Sequence, residues 1–159
     1  MKFVLNIFVL LTVHFISTQS SLVFEDCGSK NIESFKISNC RSSPCPLLKG
    51  TTQKLSVIFT STNAAKSLKV IAEGTVVLIF GMTKTIALPV PNPDACEASS
   101  KSSLICPLEK GAQYTYTIDI PVDSRLPKID VSVKLQLVDE NDNAVFCIKS
   151  AFGIVDDEL

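Results

Sequence analysis

Four stretches of the chain alternate between apolar and polar residues. The clearest is 129–137, in which every second residue is Ile, Val or Leu and the residues between them are polar. The same period of two recurs in the segments 55–60, 67–72 and 114–120. Because successive side chains of a strand point to opposite faces, this pattern predicts half-buried antiparallel strands.

The remaining segments complete an all-β pattern. Residues 76–80 are apolar on both faces, which predicts a strand covered on both sides, and 146–155 supplies a last strand. The segment 139–143 has hairpin composition, and the proline-rich segment 89–93 is expected to be extended. About seven short antiparallel strands in one domain predict an immunoglobulin-like β-sandwich.

The first twenty residues have the pattern of a secretory signal peptide. Lys2 precedes an almost wholly apolar run over 3–16, and small residues lead to an expected cleavage after Ser20. The alternative is a membrane anchor, but the run is shorter than the ~20 apolar residues that a bilayer requires. We therefore expect a signal peptide at 1–20 and a single domain at 21–159.

Loss of the signal peptide also removes the only histidine, His14. A chain without histidine cannot use Ser-His-Asp or Cys-His catalysis and cannot build a zinc site that contains histidine. There is no Gly-x-Ser-x-Gly motif either. Cleavage leaves a net charge of −2, because it removes Lys2 and none of the 16 acidic residues. We expect a non-enzymatic protein with no cofactor, no metal and no nucleic-acid partner.

The other chemically distinctive feature is the set of six cysteines, all downstream of the signal peptide. An even number of cysteines in an exported chain predicts a disulfide framework. Six cysteines allow fifteen connectivities, and spacing alone does not select one. Short loops favour two local pairs, which would leave the first cysteine to pair with the last. The cysteines are Cys27, Cys40, Cys45, Cys96, Cys106 and Cys147.

Several motifs together resemble the ML lipid-recognition domain, and most closely the Niemann-Pick type C2 group of sterol carriers. They extend over nearly all of the expected mature chain, and their combination is specific although each one alone is weak. The motifs are Asp26-Cys-Gly-Ser29, Cys40-Arg-Ser-Ser-Pro-Cys45, Phe59-Thr-Ser61, Pro89-Val-Pro-Asn-Pro-Asp94, Cys106-Pro107, Pro121-Val122, Leu135-Gln-Leu137 and Phe146-Cys147.

The resemblance implies a fold, a disulfide pattern and a site. The family fold is a sandwich whose two sheets part at one edge and hold one hydrophobic ligand between them. The implied disulfides are Cys27–Cys147, Cys40–Cys45 and Cys96–Cys106.

Three positions match ligand-contact residues of the family: Leu88, Val122 and Leu126. The best-known sterol carriers have aromatic residues at the first and last of these, so leucines here imply a differently shaped mouth. Further candidates on apolar strand faces are Val57, Phe59, Tyr116 and Val133. A sandwich core also needs such residues, so plain core packing remains the alternative reading for them.

These features predict a secreted, extracellular and monomeric carrier of a sterol, a fatty acid or a similar small lipid. Transient docking on a membrane or a receptor is left open. The alternatives are an innate-immune protein that binds a bacterial lipid, and a carrier of semiochemical-type ligands. The sequence has no N-glycosylation motif, so it cannot carry the mannose phosphate tag that takes family members to lysosomes. This favours the extracellular fluid over the lysosome. The segment 156–159 resembles a retention signal, but we expect a solvated acidic tail.

Overall fold

The computed structural model describes residues 22–28, 30–97 and 104–156. The predicted signal peptide lies outside these residues. They contain nine strands, β1 to β9, and one short 3-10 turn at Ile79–Gly81. The strands are β1 Phe24–Asp26, β2 Ile32–Ile37, β3 Cys45–Leu48, β4 Thr52–Thr60, β5 Leu68–Val77, β6 Thr83–Ala87, β7 Gln113–Pro121, β8 Asp130–Asp139 and β9 Ala144–Val155.

The strands form two sheets, which confirms the predicted all-β sandwich. The large sheet has the order β1-β9-β8-β5-β6, and β3 also pairs with β9. The small sheet has the order β2-β4-β7. The described strands exceed the expected seven, and β3 runs parallel to β9, whereas the other pairs are antiparallel.

Aromatic side chains join the two sheets in the core. Phe146 on β9 packs against two side chains of the small sheet, with ring centroids 5.1 Å from Phe59 and 6.0 Å from Tyr116. All three side chains are almost fully buried. At another place Phe24 of β1 meets Phe35 of β2 edge to face at 5.5 Å. The inner faces of both sheets therefore share one apolar core.

Three disulfides pair the cysteines as the resemblance implied. Cys27–Cys147 joins the end of β1 to the middle of β9, and the amide of Cys27 donates to the Cys147 carbonyl at 3.0 Å. Cys40–Cys45 closes the loop that leads into β3, and Cys96–Cys106 closes the long connection between β6 and β7. The predicted framework is confirmed.

The prediction that 76–80 forms a covered strand is wrong. Strand β5 ends at Val77, and the chain then leaves the sheet in the 3-10 turn. Phe80 is 96% exposed and has a left-handed backbone, with φ at 64°. An apolar run without alternation fits a covered strand and an exposed apolar turn equally well, so periodicity could not separate the two.

The predicted hairpin at 139–143 is confirmed, and Asp139 organises it. Its buried carboxylate accepts hydrogen bonds from the backbone amides of Asn141 and Asn143 at 2.8 and 2.9 Å. The side-chain amide of Asn143 donates to its second oxygen at 3.1 Å. Burial alone would raise the pKa of Asp139, but these hydrogen bonds outweigh it and lower the pKa.

This lowered pKa makes the hairpin acid-sensitive. An aspartate with a lowered folded-state pKa stabilises the fold above its unfolded pKa, and this stabilisation is lost as pH falls through the folded pKa. We expect Asp139→Asn to lower the free energy of unfolding by about 1 kcal/mol at neutral pH. The difference from wild type should shrink in acid, as measured by urea unfolding at several pH values. A difference that stays constant down to strong acid would contradict this account.

Candidate ligand-binding cleft

On β7 and β8 the inner-facing side chains are buried at one end of the strand and only partly buried at the other. On β8, Leu137 and Leu135 are buried, but Val133 and Val131 on the same face are only partly buried. On β7, Tyr116 is buried, whereas Ile118 and Ile120 after it are partly exposed. Both sheets therefore carry inward-facing apolar side chains that the opposite sheet does not cover.

An open cleft of about 510 Å³ lies at the end of β5 and the beginning of β8. Sites for small hydrophobic ligands usually have volumes of ~300–1,000 Å³ and mainly apolar walls. Four of the five lining residues are apolar, and one is acidic. They are Val76, Val77, Leu78, Ile129 and Asp130.

The predicted contact residue Leu88 lies on the inner face of the large sheet, over Gly74. A Cβ atom at Gly74 would lie 3.1 and 3.3 Å from the two methyl carbons of Leu88, and 3.2 Å from Val131. The glycine therefore leaves the room that the Leu88 side chain occupies. Gly74 pairs with Val133 on β8, so the structure brings two predicted site residues, Leu88 and Val133, into one neighbourhood.

Val133 lies between two small neighbours. Its strand partners are Gly74 on β5 and Ser150 on β9. Leu88 covers Gly74, and neither strand partner of Val133 has a long side chain, which fits the partial exposure of Val133.

The other predicted site residues occupy different environments. Val57 and Tyr116 face each other across β4 and β7, and with Phe59 they belong to the closed core. Val122 is 4% exposed, and its amide donates to the Thr51 carbonyl at 2.8 Å. Leu126 is 38% exposed in the loop before β8. Contact of these residues with a ligand stays a prediction.

Sequence reasoning did not assign the cleft-lining residues to the site. The apolar run at 76–80 was a usable signal. Apolar residues on both faces of a segment are either buried by other parts of the protein or form an exposed apolar surface. Ile129 belongs to the alternating pattern of β8, but the strand begins one residue later, at Asp130. Ile129 is 38% exposed.

Charged side chains in the loop before β8, and those just after β3 and β9, form ion pairs with one another. The guanidinium of Arg125 contacts Asp123 at 2.6 Å, and the hydrogen bonds from Arg125 lower the pKa of Asp123 to about 2. Lys128 and Lys49 each approach Asp156 at 2.7 Å. Hydrogen bonds from these lysines lower the pKa of Asp156.

No group of three or more His, Cys, Asp or Glu side chains within residues 22–28, 30–97 and 104–156 is placed to hold a metal ion. No helix in this part of the chain is long and apolar enough to cross a membrane.

The described residues form a β-sandwich with three disulfides and with partly exposed apolar side chains between its sheets. The model of the ML domain family matches residues 21–154. The chain belongs to the ML domain family.

Individual relatives agree with this assignment. NPC intracellular cholesterol transporter 2 of Sus scrofa is 34% identical over 149 residues, which cover 92% of this chain and 94% of the relative. NPC intracellular cholesterol transporter 2 homolog a of Drosophila melanogaster is 33% identical over 133 residues, which cover 81% and 84%. The crystal structure of a Niemann-Pick type C2 protein from Japanese carpenter ant aligns with a TM-score of 0.74 at 25% identity, over 84% of this chain and all of that one.

Proposed function

We propose that this protein is a secreted, non-enzymatic carrier that binds one small hydrophobic lipid, such as a sterol or a fatty acid, between its two sheets. The observation that carries this proposal is the partial exposure of inward-facing apolar side chains on both sheets, next to an apolar cleft. Family membership and the similarity to cholesterol transporters support it.

The energetics of such a site need no special chemistry. A ligand of sterol size buries roughly 400 Å² of apolar surface, which is worth on the order of 10 kcal/mol at ~25 cal/mol per Å². Loss of translational and rotational freedom offsets several kcal/mol of this. The apolar walls of the protein lose water to the ligand as well, and with that further gain the net free energy can reach the roughly −8 to −12 kcal/mol of micromolar to nanomolar binding. Apolar walls are sufficient for this function, and no acid or base has to act on the ligand.

Native mass spectrometry of the protein, purified from the secretions of its natural source, tests the proposal. We expect one adduct with the mass of a single lipid, which organic extraction removes. The extracted protein should then rebind a sterol or a fatty acid with one-to-one stoichiometry. Protein that arrives without an adduct and binds neither class of lipid would refute the carrier function.

An exposed apolar segment beside the cleft supports transient docking on a membrane. We call Val77, Leu78, Ile79, Phe80 and Met82 the apolar tip, and each of them is at least 46% exposed. Two of its members, Val77 and Leu78, also line the cleft. Insertion of the tip into a lipid surface would therefore place the cleft at that surface, where a ligand could pass without crossing water.

Phe80→Asn is expected to weaken binding to phosphatidylcholine vesicles by roughly tenfold or more, because burial of a phenylalanine in lipid is worth ~1.5–3 kcal/mol. Stability should not fall, since the side chain is exposed and Asn tolerates a left-handed backbone. Vesicle co-sedimentation and thermal melting measure the two effects. Val23→Asn is the control, because Val23 is also exposed but lies at the opposite edge of the large sheet. Equal losses in both variants would count against docking through the tip.

A further inference from the structure

The hydroxyl group of Tyr116 is a polar group in an apolar environment. Tyr116 is 1% exposed and lies on the inner face of the small sheet. Its strand partner is Val57, and its ring packs on Phe146 from the large sheet. A phenylalanine would make the same apolar contacts, so packing alone does not account for the hydroxyl.

This hydroxyl has no hydrogen-bond partner among the residues that the structure describes. Every fully enclosed side-chain nitrogen or oxygen within those residues has a partner. Because the Tyr116 oxygen has no such partner, it is not among the fully enclosed atoms. Burial raises the pKa of Tyr116, so the phenol is neutral at physiological pH and keeps its proton for donation.

The neighbouring tyrosine shows what a structural hydroxyl looks like in this fold. Tyr114 lies two residues earlier on the same face of β7, and its oxygen accepts a hydrogen bond from the Glu109 amide at 2.7 Å. That bond ties the loop before β7 to the strand. Tyr116 makes no such bond, although an unsatisfied buried hydroxyl is destabilising.

Tyr116 lies where the closed core ends and the partly exposed part of the interior begins. It belongs to the closed core together with Val57 and Phe146. The next inward-facing residues on its strand, Ile118 and Ile120, are already partly exposed. Tyr116 therefore stands at the boundary between packed core and open space, where the inner end of a bound molecule would arrive.

We propose that the Tyr116 hydroxyl hydrogen-bonds an oxygen atom at the inner end of the bound lipid. The proposal rests on the proposed carrier function and narrows its ligand class. The preferred ligand is an apolar molecule with a hydroxyl, carbonyl or ether oxygen at the end that enters first. A molecule with a pure hydrocarbon inner end leaves the tyrosine unpaired and binds less tightly.

A pair of matched probes tests this proposal. The first is a sterol diol with one hydroxyl at each end, and the second is the parent hydrocarbon without either oxygen. Because the diol is polar at both ends, an oxygen reaches Tyr116 in either orientation. Tyr116→Phe should weaken diol binding about tenfold, as loss of one buried hydrogen bond does, and change hydrocarbon binding less than twofold.

Tyr114→Phe is the matched control. It should lower the melting temperature, because the Glu109 amide loses its acceptor, while the ratio of the two affinities stays as in wild type. Tyr116→Phe should leave the melting temperature of the free protein unchanged or raise it. A purely structural tyrosine would change stability and not the affinity ratio.

The outcomes separate the two proposals. If wild-type protein binds neither probe and binds no fatty acid, the carrier function itself fails. If it binds both and Tyr116→Phe leaves the affinity ratio unchanged, the carrier function stands and the role of Tyr116 is refuted.

Discussion

Replacement of Val133 by glutamate is expected to reduce lipid binding at least a hundredfold while the fold persists. Val133 faces inward and is only partly buried, so a longer side chain can extend towards the part of the interior that is not covered. Without ligand, the carboxylate can remain hydrated. A bound lipid would strip that water and leave a charge without a partner, which costs several kcal/mol. Each 1.4 kcal/mol is a factor of about ten in affinity.

The effect should depend on pH in a defined direction. Burial under the ligand raises the pKa of the introduced carboxyl, so the protonated form is the one that binds. Affinity of Val133→Glu should therefore recover partly as pH falls from neutral to about 5, and displacement of a fluorescent lipid would measure this.

Ser132→Glu provides the comparison, because Ser132 is the neighbouring residue on the opposite face of β8. It should bind lipid as wild type does. Full affinity of Val133→Glu at neutral pH would place the ligand elsewhere.

Removal of the Cys27–Cys147 disulfide is expected to cause the largest loss of stability of the three disulfides. Its cysteines are 120 residues apart. In the chain-entropy description, a cross-link of that span stabilises by about 4–5 kcal/mol, mainly by restricting the unfolded chain. The double variant Cys27→Ser, Cys147→Ser should lose that much free energy of unfolding in urea titrations, a large part of a domain's usual stability.

The Cys40–Cys45 disulfide is the internal standard for this measurement. Its cysteines are only 5 residues apart, so the same description gives about 2 kcal/mol. The double variant Cys40→Ser, Cys45→Ser should therefore be clearly more stable than the first one. Equal losses from both pairs would mean that loop length does not set the stabilisation here.

Alternation in the sequence located β4, β5, β7 and β8 but not β2, although Phe35 and Ile37 of β2 are buried in the core. The pattern at 129–137 corresponds to β8, and the predicted turn at 139–143 joins it to β9. Strand β3 was missed because its four residues, Cys-Pro-Leu-Leu, do not alternate. Its parallel pairing with β9 joins segments about a hundred residues apart, and no local pattern specifies such a partner.

The site was harder to predict than the fold. Whether an inward-facing valine is covered depends on the opposite sheet, so Val133 and Val57 look alike in sequence and differ in exposure. The apolar run at 76–80 was interpreted as interior because apolar residues usually avoid water. Instead, part of it lines the cleft and part is exposed. Family resemblance pointed to Leu88, and periodicity did not.

The central position of β9 has a consequence for the order of events during synthesis. This strand pairs with β1, β3 and β8, so two of the earliest strands to be made have their partner among the last. A nascent chain therefore exposes unpaired edges and apolar faces until 144–155 has emerged. Closure of the large sheet is then a late, long-range event, which predicts slow folding after translation and dependence on chaperones in the meantime.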